Sequence, residues 1–149
     1  MTIKTNSVEE TLAAAEKFAE QLSAGDVILY TGEMGAGKTH FTKGIARHFG
    51  IKEGVSSPTF ALVNEYHGEK MSVFHFDLFR IDSYDDLYAI GFFDYLDRGG
   101  ILAVEWSENI PYALPELYIK TDIARTNIDT PDERRISVCV VQNDAHLDG

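Results

Sequence analysis

The chain has 149 residues, 44% of them hydrophobic, which fits one compact unit with a buried core. Its 24 acidic and 13 basic side chains give a formal charge of -11, a field that repels phosphate backbones and argues against direct nucleic-acid binding. Cys139 is the one cysteine, so an internal disulfide is excluded, and no His or Cys spacing suits zinc. The start Met1-Thr2-Ile3-Lys4 lacks the apolar stretch of a signal peptide, and no run approaches the ~18 residues of a membrane span. A soluble, cytoplasmic protein without membrane contact is expected.

Ser7 and Glu10 have the spacing of a capping box, and Val8, Leu12, Ala15, Phe18, Ala19 and Leu22 then recur at helical intervals up to Gly25. Val27 to Tyr30 is a short apolar run between Gly25 and Gly32 and predicts a buried strand. After a glycine-rich loop, Phe41, Ile45, Ala46 and Phe49 keep helical spacing as far as Gly50, a good C-terminal cap. Residues 51–58 read as a loop. Phe60 to Tyr66 and Ser72 to Phe79 read as two antiparallel strands, joined by His67-Gly68-Glu69-Lys70. Ser83 and Asp86 repeat the capping spacing, predicting one or two short helices over 84–97, interrupted near Gly91.

Gly99-Gly100 then precedes a second fully apolar strand, Ile101 to Val104. Beyond Pro111 and Pro115, Leu117 to Ile123 and Arg135 to Val141 alternate as a second hairpin would. The order predicts an α/β P-loop NTPase fold: one domain over 1–142, a mixed central sheet flanked by helices, and a flexible acidic tail at 143–149.

Gly32-Glu33-Met34-Gly35-Ala36-Gly37-Lys38-Thr39 matches G-x-x-x-x-G-K-[ST] in full, with a strand predicted before it and a helix after it. The glycines let backbone N-H groups face a β-phosphate that side chains would otherwise obstruct. Lys38 is placed to reach the β and γ phosphates. Thr39 begins the helix, so its hydroxyl suits Mg2+ while the helix N-terminus favours negative charge. Gly32 to Thr39, with His40 directly after, is therefore the expected binding set for ATP or ADP. The competing reading is a glycine-rich turn that happens to hold a lysine.

Hydrolysis also needs a carboxylate at a strand end to hold Mg2+ and a group to position water. Glu105 closes the apolar strand 101–104, and Asp77 closes Val73-Phe74-His75-Phe76. Either could instead be a plain solubilising residue at a strand end. Ser56-Ser57-Pro58-Thr59 reads equally as a turn or as a nucleotide-sensing switch loop. The single tryptophan, Trp106, reads as core packing, and His75 as a hydrogen-bonded structural residue rather than a metal ligand.

Taken in series, the glycine-rich loop, Ser57-Pro58-Thr59-Phe60, His75-Phe76-Asp77-Leu78-Phe79-Arg80 and Glu105-Trp106 resemble the TsaE family, YjeE in older naming. These are small bacterial ATPases required for making threonylcarbamoyladenosine in tRNA. The resemblance implies that Lys38 and Thr39 hold phosphates and Mg2+, Glu105 completes the metal site, and Asp77, also set at the metal, is needed for hydrolysis. It places Thr59 in a switch-like loop, makes Trp106 an active-site neighbour, and suggests Thr11 and the Arg134–Arg135 region as base contacts. It further implies an accessory ATPase that binds the TsaB-TsaD pair and meets tRNA only through those partners, which accords with the acidic charge. Glu33-Met34 stands where the family more often has Asp-Leu, and Phe79 where it has Tyr, which puts any hydrogen bond from a phenol there in doubt.

Two alternatives remain open. A small-molecule kinase could use the same loop, although such kinases clamp the transferred phosphoryl with lid arginines, and the six arginines here, at 47, 80, 98, 125, 134 and 135, form no lid-like stretch. A nucleotide-gated binding module without appreciable hydrolysis is the other.

Overall fold

The computed structural model describes residues 1–32, 37–51, 63–78, 83–105 and 115–142. Along them the chain runs β1 (Thr2–Thr5), α1 (Val8–Ala19), β2 (Val27–Thr31), α2 (Lys38–His48), β3 (Val63–His67), β4 (Ser72–Asp77), α3 (Tyr84–Ala89), α4 (Phe92–Leu96), β5 (Ile101–Glu105), β6 (Leu117–Arg125) and β7 (Arg134–Gln142). The strands form one sheet in the order β1-β7-β6-β2-β5-β4-β3. Its centre is parallel, with β6, β2, β5 and β4 as successive neighbours. Antiparallel strands complete both sides, β3 on β4 and β7 on β6 with β1 outermost.

Continuous apolar runs make β2 and β5 suitable for this centre, where both faces must be covered. Ile28 and Tyr30 of β2 point to one face and pack with Phe18 of α1 and Phe41 and Ile45 of α2. Val27 and Leu29 point to the other and pack with Leu87, Phe92 and Tyr95 from α3 and α4. The period of two along the strand thus divides the core into two layers. On the second layer Phe76 meets the rings of Phe92 and Tyr95 edge-on, at 5.2 and 5.0 Å between centroids.

Local chemistry sets the helix ends. Ser7 Oγ accepts a hydrogen bond from the Glu10 amide at 3.1 Å, the predicted cap of α1. Past α2, Gly50 takes a φ of 76° and Ile51 N-H reaches back to Ala46 O at 3.0 Å, closing the helix as expected. Gly91, at φ 78°, separates α3 from α4 where an interruption was expected.

The mixed sheet, the helices and both hairpins agree with the sequence, with the hairpins at Val63–His67/Ser72–Asp77 and Leu117–Arg125/Arg134–Gln142. The strand β1 has no counterpart among the sequence-based expectations. Four residues ending just before a cap carry too little pattern, and Thr2–Thr5 is a strand because β7 offers it an edge, pairing Ile3 with Ile136 and Thr5 with Arg134. Residues 60–62, Phe79 and the acidic tail lie outside the described residues.

Candidate functional site

The glycine-rich loop leaves β2 at Gly32, whose φ is 110° and where a Cβ would collide with the carbonyl oxygen of Ile123 on β6. Only glycine fits that approach. The chain enters α2 through Gly37, again left-handed at φ 109°, and the nearest atom to a Cβ built there is Arg134 Nε at 3.6 Å. Gly37 caps α2 with no side-chain hydrogen bond, so the first amides of this 11-residue helix have no side-chain cap. Glu33, Met34, Gly35 and Ala36 lie outside the described residues.

Lys38, the first residue of α2, is buried. Its ammonium donates to Gly32 O at 3.1 Å and lies 3.7 Å from Glu105 Oε1. Thr39 and His40 are exposed on the same first turn. Thr42 ties this turn to the sheet, its hydroxyl donating to Lys38 O at 2.9 Å. Since that proton is used, the 2.7 Å contact with Tyr30 must run from the phenol to Thr42 Oγ1. Burial holds the Tyr30 phenol well above its ordinary pKa, so it remains a donor.

Glu105 ends β5 with Tyr30 of β2 on one side and Asp77 of β4 on the other, each its partner in register. Residues paired in register share a sheet face, so Asp77, Glu105 and Tyr30 all lie on the α1/α2 side. The Leu78 amide donates to Glu105 O at 2.7 Å and fixes the two strand ends together. Glu105 Oε2 accepts from His75 Nε2 at 3.0 Å. That bond, with the charge of Lys38 beyond it, holds the Glu105 carboxyl below the ordinary range despite its partial burial. Among the described residues no three His, Cys, Asp or Glu side chains gather as a metal site.

The structure therefore brings Lys38, Thr39, Asp77 and Glu105 to one end of the parallel strands, the end where α/β sheets bind ligands. Arg134 stands beside Gly37, its guanidinium bonded to Pro131 O and Glu133 O. Thr11 is buried, its hydroxyl 2.7 Å from that of Thr5, the register partner of Arg134. Thr59 and Trp106 lie outside the described residues. Sequence reasoning passed over Thr42 and Tyr30. The position of Thr42 four residues after Lys38, on the same helix face, was the available signal for the first.

A sequence model described as the threonylcarbamoyl adenosine biosynthesis protein TsaE matches residues 5–136. The TsaE protein of Rickettsia prowazekii is 38% identical over 119 residues, 79% of this chain and 82% of that protein. The Bacillus subtilis TsaE is 36% identical over 140 residues, covering 94% and 85%. The crystal structure of Bacillus subtilis YdiB superposes with a TM-score of 0.74 at 30% identity, over 99% of this chain and 88% of that one. The single mixed sheet, covered by helices on both faces, is a P-loop NTPase-type fold, and the chain belongs to the TsaE family of threonylcarbamoyl adenosine biosynthesis proteins.

Proposed function

We propose that this protein binds ATP with Mg2+ and hydrolyses it slowly alone and faster on the TsaB-TsaD pair, in support of threonylcarbamoyl transfer to adenosine in tRNA. The observation that carries the reading is the buried Lys38 ammonium, held between Gly32 O and the Glu105 carboxylate. A buried cation against an ionised acid at the start of a helix is a site in which phosphate charge can replace carboxylate charge as the partner of Lys38.

The donor set suits the ligand. An exposed hydroxyl at Thr39 and strand-end carboxylates at Glu105 and Asp77 are hard oxygen donors, too few to enclose Mg2+ and therefore suited to sharing it with phosphate oxygens. When bound, Mg2+ would neutralise charge developing on the phosphates. Glu105 and Thr39 would hold it, Lys38 would contact the β and γ phosphates, and Asp77, also near the metal, would orient water. Backbone amides of 32–37 would line the phosphates, with His40 in the adjoining turn. Arg134 beside Gly37 supports a nucleotide-facing role for the last hairpin. Thr11, buried and paired with Thr5, would support that face from beneath. Thr59 and Trp106 keep the switch and active-site roles that the resemblance implies.

Slow turnover in isolation is expected because the sequence offers no evident arginine finger in cis. A charge of -11 suits a protein that meets tRNA only through its partners. ATP hydrolysis measured with and without TsaB-TsaD tests the reading. Stimulation by the pair is expected, and rapid turnover alone or indifference to the pair would count against it.

A further inference from the structure

His75 is a buried, polar side chain that the proposed chemistry does not use. It lies on β4 two residues before Asp77, with Ala103 as its register partner, so it sits diagonally behind Glu105 on the same face of the sheet. Its ring is 5% exposed and meets the Tyr30 ring edge-on at 5.9 Å. Nε2 lies 3.0 Å from Glu105 Oε2, while Nδ1 is buried with no hydrogen-bond partner among the described residues.

Two physical points follow. An ionised carboxylate can only accept, so Nε2 carries the proton and donates it to Glu105. A buried polar atom left without a partner costs stability that an apolar side chain would not. A core position filled at such a cost, beside an apolar cluster that could take leucine, points to the remaining nitrogen as the useful one. The two Glu105 oxygens are moreover divided: Oε2 faces His75 and Oε1 faces Lys38. Fixing Oε2 aims Oε1 at the end of α2, where Thr39 also lies.

We propose that His75 is a positioning residue, whose Nε2-H holds the Glu105 carboxylate with one oxygen turned toward the phosphate and Mg2+ site. The inference rests on the Mg2+-ATP reading above. Hydrogen-bonded partners behind a metal-ligating carboxylate are worth 10–100-fold in metal affinity or activity when removed. His75 therefore governs how strongly Mg2+ and nucleotide binding are coupled, and leaves nucleotide affinity without the metal nearly unchanged.

The test compares the wild type with His75→Leu, His75→Gln and His75→Asn. ATP affinity is measured by equilibrium titration with Mg2+ and with EDTA, alongside kcat and KM in the presence of TsaB-TsaD. Glutamine can place its amide N-H near the position of Nε2, whereas asparagine is too short to reach Glu105. The expected result for His75→Leu is a folded protein with about tenfold less gain in ATP affinity from Mg2+, about tenfold lower kcat, and affinity in EDTA within about twofold of wild type. His75→Gln restores most of the gain and of kcat, and His75→Asn does not. Equal Mg2+ coupling in the Gln and Asn variants, or wild-type coupling in a folded Leu variant, would overturn the assignment while leaving the ATPase reading intact. Wild-type protein whose ATP binding ignores Mg2+ would overturn both.

Discussion

Gly44 of α2 faces Ala15 of α1 so closely that a Cβ on Gly44 would stand 2.5 Å from the Ala15 Cβ and 2.6 Å from Leu12 O. The obstacles are a backbone oxygen and a first side-chain carbon, neither of which can rotate away. Alanine would gain roughly 0.8–1 kcal/mol in helix propensity over glycine. Forcing α1 from α2 costs more, typically about 1–3 kcal/mol. Gly44→Ala should therefore be destabilised overall, with a Tm lower by several degrees for a domain of this size. Urea unfolding that shows no loss of stability would mean that the two helices can separate freely.

The Tyr30–Thr42 bond beneath α2 should show the asymmetry of buried hydrogen bonds. Tyr30→Phe removes a donor and leaves Thr42 bonded to Lys38 O, at a cost of about 1 kcal/mol. Thr42→Val strands the buried Tyr30 hydroxyl and should cost more, roughly 1–3 kcal/mol for the unpaired group. Adding Tyr30→Phe to Thr42→Val removes the stranded hydroxyl, so the double variant should be clearly more stable than the sum of the single losses. Additive losses in a denaturant double-mutant cycle would show that the two hydroxyls are not coupled.

Ser7→Ala removes the cap of α1 at a half-buried position on the helix end, where a small side chain leaves little cavity behind. A loss of about 1 kcal/mol is expected, readable as a lower urea midpoint with an unchanged slope.

These residues also show where the sequence speaks and where it is silent. The Ser7 cap, the Gly91 interruption and the apolar run into Glu105 are local signals, and each was legible because the physics behind it spans only a few residues. Strand order was not, since nothing in Val27–Thr31 says that its neighbours are β5 and β6. The short edge strand β1 escaped for the same reason, being specified by the edge of β7. The shared position of Lys38, Asp77 and Glu105 at one end of the sheet was foreshadowed by a loop pattern and two strand ends. What could not be read was their connection: His75 and Glu105 are 30 residues apart, and only the β4–β5 register makes them neighbours.

Glu105 should leave a mark on stability against pH in protein free of nucleotide and metal. Its hydrogen bond from His75, supported by Lys38, sets its folded pKa below the ordinary value for a glutamate. A depressed carboxylate contributes stability that is fully present above the unfolded value and is lost as pH falls through the folded one. Wild type should therefore lose stability more steeply than Glu105→Gln as pH is lowered from about 5 toward 3. The two acid limbs are compared by urea unfolding at successive pH values in EDTA. Parallel limbs would show that Glu105 is not ionised against these partners.

The same variant should change ATP binding in opposite directions with and without Mg2+. Glu105 lies 3.7 Å from the Lys38 ammonium, and ATP would have to displace it while bringing further negative charge close. Two unit charges about 4 Å apart exchange roughly 4 kcal/mol at an effective dielectric near 20, and part of this opposes metal-free ATP. Glu105→Gln frees Lys38 and removes the repulsion, so ATP in EDTA should bind about tenfold tighter, equivalent to about 1.4 kcal/mol. With Mg2+ present the variant lacks the anionic oxygen proposed to hold the metal, and turnover should fall at least about tenfold. Titration calorimetry in EDTA and ATPase rates in Mg2+ give the two readings. Weaker binding in both conditions would mean that Glu105 supports the loop itself rather than restraining Lys38, and unchanged turnover would remove it from the metal site.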